Sequence, residues 1–322
     1  MTEDAVAHLY RRFAEVEARG VSDVYDDWAS GVAEDDGVLA LIAALPAGKR
    51  QPNLVFAAAR LVGAPVGPYR AFREWLVGRW SEVEPVIRSR STQTNEAARC
   101  AVLLPVLSAL EGPLALIEVG ASAGLCLQPD RYGYRYATPD GVVALDPDAG
   151  PSPMTIPCSI DAASVPTRLP NVVWRAGIDL NPLDARDPET REWLRALVWP
   201  EHGGRRARLD AALRITAADP PRLARGDLLE RIPQLVAEAP AGAHVVVFHS
   251  SVLSYVDPDA RQRFAAIMRA CTRATWVSNE GERVLPRVAE RLDRPARGRT
   301  VLAVDERPVA LVGPHGQSYE AL

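Results

Sequence analysis

From residue 114 onward, continuous apolar runs of strand length recur: LALIEVG (114–120), NVVWRAGIDL (171–180), HVVVFHS (244–250) and ATWVSNE (274–280). A strand with one wet face alternates apolar and polar residues, whereas one covered on both faces has no reason to. Unbroken apolar runs separated by helical stretches therefore predict an α/β architecture with a mostly parallel sheet between helices. The last segment differs. RTVLAVDERPVALVG (299–313) reads as two strands around Asp305-Glu306-Arg307-Pro308, a hairpin near the C-terminus. Residues 128–170 form an insertion between the first two runs, rich in Pro, Asp and Gly. Inside it, YGYRYATPDGVVAL reads as a small hairpin with Tyr132, Tyr134 and Tyr136 on one face, either packed or lining a substrate mouth.

Ahead of the first run the texture is helical. AVAHLYRRFAEVEARG, NLVFAAARLVG and YRAFREWLVGRW space apolar residues three and four apart, with Gly20, Gly63 and Gly78 near their ends; NEAARCAVLLPVLSAL closes the series. Phe72, Trp75 and Trp80 read as helix-packing core. The organisation expected is a helical cap region at 1–110 and an α/β domain at 111–322 carrying the 128–170 insertion.

Charge and composition exclude several chemistries. A net charge of −4 provides no basic face for a phosphate backbone, which argues against nucleic acid as partner. Lys49 is the only lysine and Arg50 follows it. Schiff-base chemistry needs a lysine amine and a Walker A loop needs Lys before Ser or Thr, so both classes are nearly excluded. Cys100, Cys126, Cys158 and Cys271 lack metal-ligand spacing. The N-terminal MTEDAVAHLYRR lacks the apolar core of a signal peptide, and GVLALIAALPAG and AVLLPVLSAL are too short for a membrane span. A cytoplasmic protein acting on a small molecule, away from membranes, is the expectation. Its oligomeric state stays open.

The densest local signal is ALIEVGASAGLCL (115–127), an apolar strand ending in Glu118-Val119-Gly120, then a small-residue turn to Gly124 and an apolar helix start. Glycines permit a tight turn and a close ligand, and a helix N-terminus beyond offers free N–H groups to an anion. Two readings compete. Gly120-Ala121-Ser122-Ala123-Gly124 is literally G-x-S-x-G, the nucleophile elbow of a serine hydrolase, with downstream acids and His315 available for a triad. Alternatively, Glu118 two residues before Gly120 resembles the first motif of class I S-adenosylmethionine-dependent methyltransferases, acidic–x–Gly–x–x–x–Gly. A nicotinamide site prefers G-x-G-x-x-G, and this turn has only two glycines, four apart.

Context favours the methyltransferase-like reading. An elbow follows a mid-sheet strand, yet here the preceding residues are helical. The next runs end in acids, as that resemblance implies. It assigns Asp179, with Leu180, to the ribose hydroxyls, and Asp227, with Leu228, to the adenine side. Gly120, Ala121, Ser122 and Gly124 would approach the methionine end of S-adenosylmethionine beside Glu118. The implied fold is a Rossmann-like, seven-stranded, mostly parallel sheet whose terminal hairpin supplies the antiparallel last strand. A third reading is an accessory protein that binds the cofactor without turnover.

A closer resemblance rests on STQTNEAARCAVLLP, LIEVGASAGLCL with DRYGYRY, RAGIDLNPLD, LVWPEHGGRRARLDAAL and VVFHSSVLSY. Together they are similar to a bacterial domain-of-unknown-function family, number 2332, from about residue 5 to 315. That resemblance implies a methyltransferase-like fold and no particular reaction.

Other candidates follow from position. Gln93, Thr94, Asn95 and Glu96 precede the helix leading to the first strand. They read either as helix capping by Thr92 or Thr94 or as a segment covering the cofactor, with Arg99 one turn on for a carboxylate. His249 and Ser250 end the fourth run and Tyr255 follows; ligands of open α/β sheets sit beyond these strand ends, which makes His249 the best base candidate and Tyr255 its companion. Asn279 and Glu280 end the fifth run. His244 reads as structural. Trp199-Pro200-Glu201 with Arg205, Arg206 and Arg208 reads as a solvated helix face or an anion-holding stretch.

Overall fold

The computed structural model describes residues 2–93 and 95–322. Packing divides the chain into two compact units, residues 1–94 with 187–207 and residues 95–186 with 208–322.

The first unit is helical, with Glu3–Phe13, Asp23–Val32, Asp36–Ala43, Pro52–Val62, Tyr69–Gly78 and Trp80–Ser89 joined by Pro188–Leu197. Side chains close the orphan N–H groups that every helix start leaves. Ser22 accepts from Tyr25 N–H, Asp35 from Val38 N–H, and Asp187 from Glu189 and Thr190 N–H. Trp28 and Phe72 stack at 3.8 Å between ring centroids, and Phe56 meets both edge-on. Phe72 is core, as its spacing predicts. Trp75 and Trp80 are only half-buried, at the margin of the Phe72–Leu76 stripe, and the Arg79 guanidinium covers Trp75. The aromatic stretch at 199–201 is a structural tie within this unit. Trp199 Nε1 donates to Asn53 Oδ1, and the Glu201 carboxylate accepts from Ser22 Oγ and Val24 N–H.

The second unit is built on one continuous sheet. Its strands are β1 (Leu114–Val119), β2 (Gly133–Thr138), β3 (Gly141–Leu145), β4 (Thr155–Ile160), β5 (Val172–Asp179), β6 (Arg222–Arg225), β7 (His244–Ser250), β8 (Ala274–Gly281), β9 (Thr300–Val304), β10 (Arg307–Val312) and β11 (Ser318–Ala321). They lie in the order β3-β2-β4-β11-β10-β9-β8-β7-β1-β5-β6. From β6 to β8 all neighbours are parallel, and β9 returns antiparallel to β8. The runs at 114, 171, 244 and 274 are all strands of this parallel block, and β1 and β7 are buried almost throughout.

The sheet has eleven strands, not seven. The insertion supplies β2, β3 and β4, and β4 joins the sheet through a parallel pairing with β11. SYEA in β11 is too short and polar to announce itself as a strand. The hairpin at 299–313 forms, but its turn is two residues, Asp305 and Glu306, at φ 49° and 63°. Positive φ at both central positions matches the twist of the flanking strands. The antiparallel strand beside β8 is the first of this hairpin, not the last.

One sheet face packs Ile117 and Val119 of β1 and Val245 and Val247 of β7 against Ile232 and Leu235 of helix Leu228–Glu238 and Phe264 and Met268 of helix Pro258–Ala270. Each such side chain contributes about 1.5–3 kcal/mol on burial. Tyr132, Tyr134 and Tyr136 are wholly buried, and their hydroxyls donate to Leu125, Pro129 and Ala101 carbonyls, so they pack and line no mouth. The Tyr136 bond helps place helix Cys100–Ala109 with the sheet, so the units divide at 94/95 although strands begin only at 114.

Candidate functional site

In a parallel sheet, residues in register on adjacent strands point to the same face, and residues two apart along a strand share it. Glu118 of β1 is in register with Gly177 of β5 and Phe248 of β7. Two residues further on, Ser250 pairs with Asn279 of β8, and Asp179 ends β5. Glu118, Asp179, Ser250 and Asn279 therefore share one face at the carboxyl ends of four neighbouring strands, where open α/β sheets bind ligands.

The turn after β1 is held from all sides. Gly120, Ser122 and Gly124 take φ of 70°, 50° and 72°. Gly120 and Ala121 N–H both donate to the Ile178 carbonyl. Ser122 N–H donates to Asp179 Oδ2 at 2.8 Å, and Asn181 N–H to Asp179 Oδ1 at 2.7 Å. The glycines answer to protein packing. A Cβ on Gly120 would sit 2.5 Å from Val252, and one on Gly177 would sit 2.4 Å from the Ala121 methyl.

No helix follows this turn. Leu125–Leu127 and Pro129–Arg131 are single 3-10 turns, followed by β2. The α-helix expected after Gly124, with its dipole and row of free N–H groups, is replaced by these two short turns.

The segment Asn95–Arg99 covers the row. Asn95 Nδ2 donates to Ser122 Oγ at 2.7 Å, and Ala123 N–H donates to Asn95 Oδ1 at 3.1 Å, which fixes the amide's orientation. Arg99 Nη1 donates to the Ser250 carbonyl at 2.8 Å and Nε to the Pro314 carbonyl at 3.0 Å. Gly316 lies so close that a Cβ there would strike the Ala98 carbonyl. Capping falls to Glu96, whose carboxylate accepts from Ala98 N–H. Thr92 Oγ1 bonds Gln51 in the helical unit, where Gln93 also falls. Thr94 lies outside the described residues.

Glu118 is the site's electrostatic centre. Burial pushes its pKa well above the usual carboxylate range; the adjacent Cys126 thiol adds to this and the Arg99 guanidinium opposes it. Its Oε2 and the Oδ1 of Asn279 are buried without a hydrogen-bond partner among the described residues, while Asn279 Nδ2 donates to Ser250 Oγ. Leaving such an acceptor unpaired costs about 1–3 kcal/mol.

Several expected site residues stand elsewhere. His249 is in register with Val119 and Ser278, on the opposite face, and is wholly buried. Trp276 Nε1 donates to its Nε2 at 2.9 Å, and its Nδ1 lies 2.7 Å from Glu280 Oε1. An indole nitrogen only donates, so Nε2 is the acceptor and Nδ1 carries the proton. With both nitrogens engaged, the ring is no base for a substrate. Tyr255 is 85% exposed and Leu180 74% exposed. Asp227 caps helix Leu228–Glu238 by accepting from Leu229 N–H, and Leu228 is that helix's first residue. Gly226 N–H donates to the Asp179 carbonyl at 3.1 Å, so the loop that carries Asp227 lies beside the end of the row. Glu280 also faces away: its Oε1 accepts from Val252 and Leu253 N–H as well as His249. Face parity against Glu118 was the signal that separates Asn279 from Glu280 and Ser250 from His249.

The G-x-S-x-G turn lacks the strand–turn–helix context of an elbow. A cavity of about 510 Å³ opens at the other end of β7 and β8, lined by His244, Cys271, Thr275 and Asp305 among others. Its two arginines are occupied, Arg269 with Glu306 and Arg273 with the Ala237 and Ala239 carbonyls.

The chain belongs to the bacterial family described as "Uncharacterized protein conserved in bacteria (DUF2332)", which it matches over residues 7–320. No curated protein and no solved structure matches it. Among the described residues, no helix is long and apolar enough to cross a membrane.

Proposed function

We propose that the sheet unit binds S-adenosylmethionine at the carboxyl ends of β1, β5 and β7 and passes its methyl group to a small-molecule acceptor. The observation that carries this reading is the buried, unpaired Glu118 oxygen directly before the Gly120 turn, in the central strand of a parallel block ordered β6-β5-β1-β7-β8. On either side of β1 the chain connections run in opposite directions, the place where such sheets take nucleotide-like ligands.

The residues fit the cofactor in part. Asp179 accepts one backbone N–H at each oxygen, and an ionised carboxylate has about four lone-pair sites, which leaves acceptors for two ribose hydroxyls. Glu118 supplies an acceptor at the methionine end. Gly120, Ala121, Ser122 and Gly124 shape the turn, and Asn95 and Arg99 hold the cover over it. Asp227, next to the Gly226 that bonds Asp179, keeps its place toward the adenine side, and His249 drops out of the assignment. When bound, the cofactor supplies an electrophilic methyl on a sulfonium; the protein's part is to align an acceptor with it and exclude water.

Isothermal titration with S-adenosylmethionine and S-adenosylhomocysteine tests the reading. Binding that weakens in Asp179→Asn, which keeps one oxygen for the Ser122 N–H, is the expected result. No heat with either ligand at millimolar concentration would sink it. The engaged ring of His249 favours a second reading, an accessory protein that binds the cofactor without turnover; binding with no S-adenosylhomocysteine formed on any acceptor would select it.

A further inference from the structure

Cys100 and Cys126 are 26 positions apart in sequence and side by side in the sheet unit. Cys100 opens helix Cys100–Ala109 directly after the covering segment, and Cys126 sits in the 3-10 turn directly after Gly124. The Cys100 thiol donates to the Cys126 carbonyl at 3.5 Å, and the Cys126 thiol to the Glu96 carbonyl at 3.5 Å. The Cys100 side chain beside it, together with burial, pushes the Cys126 pKa up. The Cys126 side chain is also among the groups that raise the Glu118 pKa. Both thiols are buried, Cys100 wholly and Cys126 at 7% exposure, so Cys126 is the less enclosed of the two.

We propose that Cys100 and Cys126 form an oxidisable dithiol, and that a peroxide converts it to a disulfide fastening the Asn95–Arg99 cover to the glycine turn. The Cys126 sulfur attacks one peroxide oxygen and the O–O bond breaks, giving a sulfenic acid and one water. The Cys100 sulfur then displaces the sulfenic oxygen as a second water, forming the S–S bond. In total, two thiols and one hydrogen peroxide give one disulfide and two waters. The two sulfurs are oxidised, and the peroxide oxygens are reduced. Neighbouring contact makes the second step intramolecular, so it outruns further oxidation of Cys126. The consequence is local: Asn95 and Arg99, which bond Ser122 and the Ser250 carbonyl, lose freedom to lift from the row. The inference does not depend on which ligand the row holds.

The test uses the full chain with Cys158→Ser and Cys271→Ser, so that only the two thiols in question remain. It is treated with hydrogen peroxide, unfolded, and examined by thiol titration, intact mass and fragment mapping. The expected result is joint loss of both thiols, a mass lower by two hydrogens, a fragment linking Cys100 to Cys126, and full reversal by dithiothreitol. Closing a loop of this length also raises Tm by several degrees. Two persisting thiols, or Cys126 gaining oxygen while Cys100 still titrates, would overturn it. If the substituted chain does not fold, the same fragment map on the native sequence decides: a Cys100–Cys126 link supports the proposal, and its absence refutes it.

Discussion

The backbone N–H of Ser122 donates to the carboxylate of Asp179 at 2.8 Å, tying the turn after β1 to the end of β5. The same carboxylate holds Asn181 N–H, so one side chain shapes two loops beside the proposed ligand. Asp179→Ala removes both bonds and strands two N–H groups, at about 1–3 kcal/mol for each one left buried and unpaired. Urea denaturation should show the loss, with Asp179→Asn intermediate. Equal stability in all three chains would mean that water replaces the carboxylate.

Gly120→Ala should destabilise for two separable reasons. The new methyl would lie 2.5 Å from Val252, and φ of 70° is unfavourable for any residue with a Cβ. Val252→Ala relieves the first and leaves the second. The double variant should recover part of the loss in a thermodynamic cycle, with a coupling on the order of 1 kcal/mol. Additive effects would place the whole cost in the backbone.

Glu118 is held above the usual carboxylate range, with burial the first cause. A raised carboxyl pKa favours folding while the group is protonated. That contribution is complete below the unfolded value, about 4.3, and is lost as pH rises through the folded value. At neutral pH the site therefore costs stability. Glu118→Gln should raise Tm at pH 7–8 and lose that advantage at pH 4, by about 1.4 kcal/mol for each tenfold change in proton affinity. The same variant should lose the S-adenosylmethionine response. A destabilised variant at pH 8 would contradict the assignment of Glu118 as a desolvated acid.

Glu280 behaves oppositely. Burial raises its pKa, but the bonds from His249, Leu253 N–H and Val252 N–H outweigh it and hold the pKa below the usual range. Its contribution is present above about pH 4.3 and is lost as pH falls through the folded value. Glu280→Gln should flatten the acid limb of a stability–pH curve. His249→Ala strips the carboxylate of a partner and orphans the Trp276 indole N–H, at a cost of about 1–3 kcal/mol for each buried group left unpaired. If His249→Ala were neutral in stability, the buried network would have no structural role.

The sequence by itself determined the elements whose signal is local. LALIEVG, HVVVFHS and ATWVSNE read as buried strands because each carries a mostly apolar run of strand length, and Asp305-Glu306-Arg307-Pro308 marked a turn between two such runs that the structure narrows to Asp305 and Glu306. The glycine turn was legible because its small residues stand out from their surroundings, whereas the dense polar group at 93–96 left capping and covering open, and the bonds of Asn95 to Ser122 and Ala123 come from the tertiary structure. Only the tertiary structure decided which polar residues share a face. His249 and Ser250 are adjacent in sequence and point to opposite sides of the sheet, so the sequence name of a strand end does not say which residue meets a ligand. It also decided that two 3-10 turns stand where a helix was expected after Gly124, that β4 reaches β11, and that Cys100 meets Cys126. Each depends on pairings between residues far apart in the chain, and no local pattern encodes a partner's position.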